Sequence, residues 1–302
     1  MRRFIVNVIK FAVGIVVLLG IAEYLARTCP NAYAVKQEWM DRHRVGVETL
    51  VLGSSHAYAG IMPQYLGTEA YNLANSSQTQ RYDWLLLSRD TSQLAALKAI
   101  IYPASSLRMC YRLEDTSEWY RCIYYQLYNH LSQHGALSKY GLEVSSLQTC
   151  CWKVQSRLLS GAADRMCDDY GWCTFYQARE DGNAAWSDKE LAERFAKYAE
   201  RDALCTSRYV YFDSIAQYCE RHDVKLILVG FPVSKAFAEA PAGQNIIREA
   251  DSLSLKYASR YSCIRYLDFT RCDSMTDSDF FDVDHLNSNG ARKLTEMIRD
   301  SI

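Results

Sequence analysis

The 302-residue chain is 49% apolar and 23% charged, which excludes extensive disorder and leaves enough apolar surface for one large core or two small ones. Its 34 Lys and Arg nearly balance 35 Asp and Glu, and no basic block is suited to phosphate backbones, so nucleic-acid binding is not expected. No internal repeat or low-complexity tract interrupts it.

At the N-terminus Arg2, Arg3 and Lys10 lead into an uncharged run from Phe11 to Ala22. From Phe4 to Ala22 a helix would span roughly 28 Å, close to the ~30 Å hydrocarbon layer of a bilayer. The basic end predicts a transmembrane anchor over residues 1–24, with the arginines inside and the remainder exported, periplasmic or extracellular. A cleaved signal peptide is the competing reading. The nearest A-x-A-like site, Ala32-Tyr33-Ala34, lies well past the apolar run, and Cys29 follows Ala26-Arg27-Thr28 rather than the small residues of a lipoprotein box. The chain has 11 Cys, and an exported compartment permits disulfides; Cys150, Cys151, Cys167 and Cys173 cluster in one region. Their spacings form no CxxC zinc pattern and do not fix a pairing.

Residues 25–47 read as a linker or helical extension. From 48 to 302, short apolar runs alternate with helical patterns. Strands are predicted at Thr49–Leu52, Ala99–Tyr102, Lys225–Gly230 and Ile264–Asp268, and helices at Arg81–Thr91, Ser207–His222 and Asn287–Ile302. This alternation predicts an α/β domain, a mostly parallel sheet with helices on both faces. Residues from about 110 to 205 lack a strand run and are rich in Tyr, Trp and Cys. Ser187-Asp188-Lys189-Glu190 there is a capping-box pattern before an amphipathic helix, so the interval reads as a helical insertion. Its aromatics either pack or form a lid or sugar-stacking wall.

Two short blocks carry chemistry. Gly53-Ser54-Ser55 follows the first strand, where ligands of parallel sheets bind. A serine there needs a base to become a nucleophile, and without one the block is a polar turn. Asp282-Val283-Asp284-His285 precedes the last helix; one turn can set the Asp282 carboxylate against the His285 imidazole, leaving the other ring nitrogen for a serine proton. The bland alternative is a solvated acidic loop with Asn287 or Ser288 capping the helix. His56 reads as structural or substrate-facing.

In this order on an α/β pattern, the two blocks resemble the SGNH/GDSL hydrolase superfamily, from about Thr49 to the C-terminus. The resemblance implies a three-layer α/β/α, flavodoxin-like fold, with Ser55 as nucleophile, His285 as base and Asp282 as its orienting carboxylate. Ser54 stands where the family has aspartate. Tyr71 to Thr79 resembles the family's second block and, aligned on Asn72 and Thr79, puts Ser77 at its oxyanion glycine. The third block, Gly-x-Asn-Asp, is replaced by Pro103-Ala104-Ser105-Ser106. The oxyanion donors are then expected from the Ser55 and Ser77 N–H groups, with Asn75 or Ser105 making up the missing one. Gly-Ser-Ser with Asp-x-Asp-His-Leu-Asn looks most like the membrane-anchored branch linked to cell-surface polymers and acyl transfer. That branch also places a loop like Phe231-Pro232-Val233-Ser234 near its active site.

The expected activity is a serine-dependent esterase or O-acyltransferase working through an acyl-enzyme on an acylated glycan or cell-surface polymer. No cofactor and no metal are expected; a membrane-bound acyl-donor protein is a possible partner. A non-catalytic glycan-binding or assembly protein on the same fold is one alternative. A metal-dependent hydrolase using His56, Asp282, Asp284 and His285 is the other.

Overall fold

The computed structural model describes residues 1–89, 93–131, 138–160, 166–177, 186–205 and 210–302. Its centre is a five-stranded sheet of β1 (Thr49–Val51), β2 (Ala70–Asn72), β3 (Ala99–Pro103), β4 (Lys225–Gly230) and β5 (Ile264–Asp268). The order is β2-β1-β3-β4-β5 and every pairing is parallel. This is the flavodoxin-like arrangement, with its switch point between β1 and β3. The predicted runs became strands because both their faces are buried: β1 and β3 are buried throughout, and β4 is buried after Lys225.

The helices in chain order are α1 (Arg2–Arg27), α2 (Ala32–His43), α3 (Ser55–Gly60), α4 (Gln80–Arg89), α5 (Arg121–Leu127) and α6 (Leu147–Ser160). They continue with α7 (Asp188–Ala203), α8 (Val210–Arg221), α9 (Lys235–Glu239), α10 (Pro241–Arg260) and α11 (Ser288–Arg299). The predicted helices Arg81–Thr91 and Ser207–His222 correspond to α4 and α8; the end of the first and the start of the second lie outside the described residues. One sheet face packs Leu50, Leu52, Ile100, Tyr102, Leu226 and Leu228 against Leu87 of α4, Phe212 and Ile215 of α8 and Tyr257 of α10. Helix α11 packs on α3, the helix that follows the turn after β1.

The chain divides into two compact units: residues 1–35 with 117–165, and residues 36–116 with 166–302. In the first, α1 packs along α6, and Arg27 Nη2 donates to the Gly141 carbonyl at 2.9 Å. Helix α1 is long and apolar enough to cross a membrane, with a mean hydropathy of 2.5 over its most apolar window and none of that window buried. The second unit holds the sheet. Among the described residues the disulfide joins Cys110 to Cys205, with Cα atoms 5.2 Å apart, and none falls in the Cys150–Cys173 cluster.

Candidate active site

The turn after β1 is held from three sides. Gly53 adopts φ 108°, and a Cβ there would sit 2.4 Å from the Pro103 ring, so both backbone shape and space require glycine. Its N–H donates to Asp83 Oδ1 at 2.8 Å. Ser54 is buried at the N-cap of α3; its N–H donates to Ser106 Oγ at 3.2 Å, and Ser106 Oγ donates back to Ser54 Oγ at 3.0 Å. Ser106, in the segment after β3, thus braces the turn from behind. Asn72 ties down the other side, its Nδ2 donating to the carbonyls of Ala57 (2.9 Å) and Ile61 (3.0 Å) in and just past α3.

Ser55 opens α3, and its Oγ lies 2.8 Å from His285 Nε2. On the far side of that ring, Nδ1 lies 2.8 Å from Asp282 Oδ2 and 2.9 Å from Oδ1. Asp282 Oδ1 also accepts the N–H groups of His285 (2.8 Å) and Asp284 (3.1 Å), so the loop folds around its own carboxylate. The next residues seed α11, where Asn287 Oδ1 accepts from the N–H groups of Asn289 and Gly290. The Phe231–Ser234 loop meets this segment directly, with Ser234 N–H donating to the Val283 carbonyl at 3.0 Å. A chain of groups able to pass a proton from a serine hydroxyl to an imidazole oriented by a carboxylate is therefore present, drawn from both ends of the domain.

Asp284 turns the other way. Its side chain is fully buried, and Oδ2 accepts from Arg194 Nε at 2.7 Å and from the Tyr198 hydroxyl at 2.8 Å. Burial opposes its charge, but Arg194, His285 and His56 overcome that and hold the Asp284 carboxyl well below the usual range. Burial likewise opposes the Arg194 charge, and Asp284 outweighs it, so the guanidinium stays firmly protonated. His56 stacks on His285 and places Nδ1 3.2 Å from Ser105 Oγ. Burial drives its pKa below the ordinary value; Asp284 opposes this and His285 adds to it.

His56, Asp284 and His285 bring ligand atoms within 4.8 Å of one another, a donor set that could hold a metal ion. The Arg194 guanidinium occupies that place: its Nε is on Asp284 Oδ2 and its Nη2 lies 3.3 Å from His285 Nε2. A fixed cation on the same atoms repels a metal, so this cluster is better suited to proton chemistry than to ligation.

Of the expected oxyanion donors, Ser55 is the first residue of α3, so its N–H lies outside the helix's own hydrogen-bond ladder. Ser77 adopts φ 57°, and its Oγ accepts from Arg201 Nη2 at 2.9 Å. Asn75 is buried with its amide turned inward, donating to Gln78 Oε1 at 3.1 Å and toward the Leu73 carbonyl at 3.4 Å. Those contacts engage its N–H groups inside its own loop, so this geometry does not offer Asn75 to an oxyanion. Ser105, by contrast, lines the same cavity as Ser55.

Sequence reasoning missed Arg194, Tyr198 and Arg201. The capping box at Ser187 and Glu190 forms as expected and starts α7. Its partly buried positions Leu191, Arg194, Phe195, Tyr198, Arg201 and Asp202 follow helical spacing, and of these Arg194 and Tyr198 reach Asp284 and Arg201 reaches Ser77. Tyr176 adds a ring 5.1 Å from that of His285.

No known family's sequence profile matches the chain, and no curated protein matches it. Among solved structures, one is a provisionally named platelet activating factor from Streptococcus pneumonia. It is 11% identical, with 97% of this chain and 98% of that one covered and a TM-score of 0.44. Another is a provisionally named acylhydrolase from Bacteroides fragilis, 10% identical over 87% of this chain and 94% of that one, with a TM-score of 0.39. Similarity at this level adds nothing to the topology given above.

Proposed function

We propose that this protein is a serine-dependent esterase or O-acyltransferase acting on acyl esters of a glycan or cell-surface polymer. In this reading Ser55 is the nucleophile, His285 the base and Asp282 its orienting carboxylate. The observation that carries it is the 2.8 Å contact between Ser55 Oγ and His285 Nε2, on a ring whose Nδ1 meets Asp282. Residues 1–24 serve as a single-pass anchor and 25–47 as a linker. The domain from 48 to 302, with its insertion near 110–205, is exported to where such polymers are built. A membrane-bound protein supplying the acyl group fits the transferase form.

The chemistry runs in two halves. His285 Nε2 takes the Ser55 proton as Oγ bonds to the ester carbonyl carbon. The oxyanion is met by backbone N–H groups at Ser55 and Ser77, with Ser105 within the same cavity. His285 then returns the proton to the leaving alkoxide, giving an acyl-enzyme and an alcohol. In the second half water or an acceptor hydroxyl gives its proton to His285 as its oxygen bonds to the acyl carbon, and the imidazolium returns that proton to Ser55 Oγ as the acyl–Oγ bond breaks. Asp282 stabilises the imidazolium in both halves.

A fluorophosphonate probe tests the assignment. It is expected to label the wild-type protein and not Ser55→Ala or His285→Ala, and equal labelling of wild type and Ser55→Ala overturns it.

A further inference from the structure

We propose that the cavity beside Ser55 binds an anionic oxygen group of the substrate, a carboxylate or a phosphate, through Arg108. This rests on the esterase reading above and adds the substrate's charge to it. Arg108 ends the short 3-10 turn Ala104–Arg108 that follows β3, and it lines a small cavity together with Ser54, Ser55, His56 and Ser105. It is 9% exposed. Its Nη2 pairs with Asp202 and lies 3.3 Å from Glu249 Oε2, and the guanidinium stands over the Tyr198 ring at 5.6 Å. Nε and Nη1 are buried with no hydrogen-bond partner.

A guanidinium has five N–H groups and cannot shed its charge, so buried N–H groups without an acceptor are costly to maintain. The contrast with Arg194 is informative, since that side chain is matched by a fully buried carboxylate, Asp284. The acids near Arg108 are the 40% exposed Asp202 and the 43% exposed Glu249, whose charge water screens. Arg201, which reaches Ser77 Oγ, lines the same cavity and adds a second cation. What Nε and Nη1 of Arg108 lack is an acceptor, and an anionic oxygen carried close to the scissile ester would supply it with a charge-assisted bond. The group could belong to the acyl chain or to the alcohol.

Paired esters separate the two sources. p-Nitrophenyl hemisuccinate against p-nitrophenyl butyrate tests an acyl-side anion; 4-acetoxybenzoate against its methyl ester tests an alcohol-side one. Wild type is expected to prefer the anionic member of one pair by about tenfold or more in kcat/KM, and Arg108→Gln to lose that preference. As an independent check on the unaltered protein, succinate or glycerol phosphate at constant ionic strength is expected to slow labelling of Ser55 by a neutral fluorophosphonate at least threefold. The proposal is overturned if wild type shows no anionic preference in either pair, if the preference survives in Arg108→Gln, or if neither anion slows labelling. Labelling by the neutral probe without anion tests the esterase reading separately, so the two can fail independently.

Discussion

The imidazole of His56 lies parallel to that of His285, with ring centroids 4.8 Å apart and planes 18° apart. Two stacked histidines beside one serine raise the question of which one takes the proton. His285 has the Ser55 hydroxyl on one nitrogen and Asp282 on the other, whereas His56 has Ser105 on Nδ1 and only a long 3.4 Å approach to Asp284 on Nε2. Burial keeps His56 uncharged at neutral pH, so it adds no positive charge against the imidazolium that forms at His285. His56→Phe, which keeps a stacking ring, is therefore expected to retain kcat within about tenfold and to leave the acid limb of the kcat/KM profile in place. His285→Phe is expected to remove activity by about 10⁴-fold or more. A pH–rate series on both variants checks this; loss of activity in His56→Phe equal to that in His285→Phe would contradict it.

Asp282 and Asp284 flank the same loop but answer to different partners. Asp282 is 39% exposed and faces the imidazole, so Asp282→Asn is expected to lower kcat by about 10³–10⁴-fold with little change in Tm. Asp284 is buried against Arg194, and removing its charge leaves a buried guanidinium uncompensated. Asp284→Asn is expected to cost about 3–5 kcal/mol of stability. Adding Arg194→Met should recover part of that loss, and thermal unfolding of the two single variants and the double variant measures it.

Much of the sheet was legible because strands buried on both faces are continuous apolar runs, as in β1, β3 and β4. β2 escaped: Ala70-Tyr71-Asn72 is three residues long and ends on a polar side chain that anchors α3. The pairing of Ser55 with His285 is a tertiary fact that residue types at two distant blocks can only suggest. Arg194, Tyr198 and Arg201 left no such trace, because arginines on an amphipathic helix have the pattern of a solvated face. Only the burial of Asp284 turns that face inward. Cysteine spacing fixed no pairing: Cys150, Cys151, Cys167 and Cys173 cluster in the sequence, yet among the described residues the disulfide spans 95 residues between Cys110 and Cys205.

That disulfide fastens α7 to the segment after β3. No residue of α7 is fully buried, so little apolar packing holds the helix in place. Besides the packing of Phe195 and Tyr198 on Phe237, its hold includes the bridge just past its C-terminus, the Arg108–Asp202 and Arg194–Asp284 ion pairs and the Tyr198–Asp284 and Arg201–Ser77 hydrogen bonds. A loop of that length contributes about 4–5 kcal/mol in the chain-entropy account. Cys110→Ser/Cys205→Ser is expected to lower Tm and to reduce kcat/KM about tenfold, as Arg194, Tyr198 and Arg201 lose their fixed position. If the double variant matches wild type in kcat/KM, α7 does not need the bridge to shape the site.

Asp83 supplies the pH test. It is fully buried, and its carboxylate accepts from Gly53 N–H (2.8 Å), Gln78 Nε2 (2.6 Å) and the Tyr102 hydroxyl (2.9 Å). Burial pushes its pKa up to about 7 from an ordinary 3.8, against the pull of those three donors. The native state therefore holds a proton that the unfolded chain releases between about pH 4 and 7. The stabilisation is complete below the unfolded value and is lost as pH rises through the native one, a change on the order of 4 kcal/mol. Asn at this position mimics the protonated carboxyl: its oxygen can accept from Gly53 and Gln78, and its amide can donate to the Tyr102 hydroxyl. Asp83→Asn is therefore expected to flatten the fall in Tm between pH 4 and 7 and to be more stable than wild type at pH 8. Parallel pH series of the two proteins decide it, and identical slopes would mean that Asp83 is ionised in the native turn across that range.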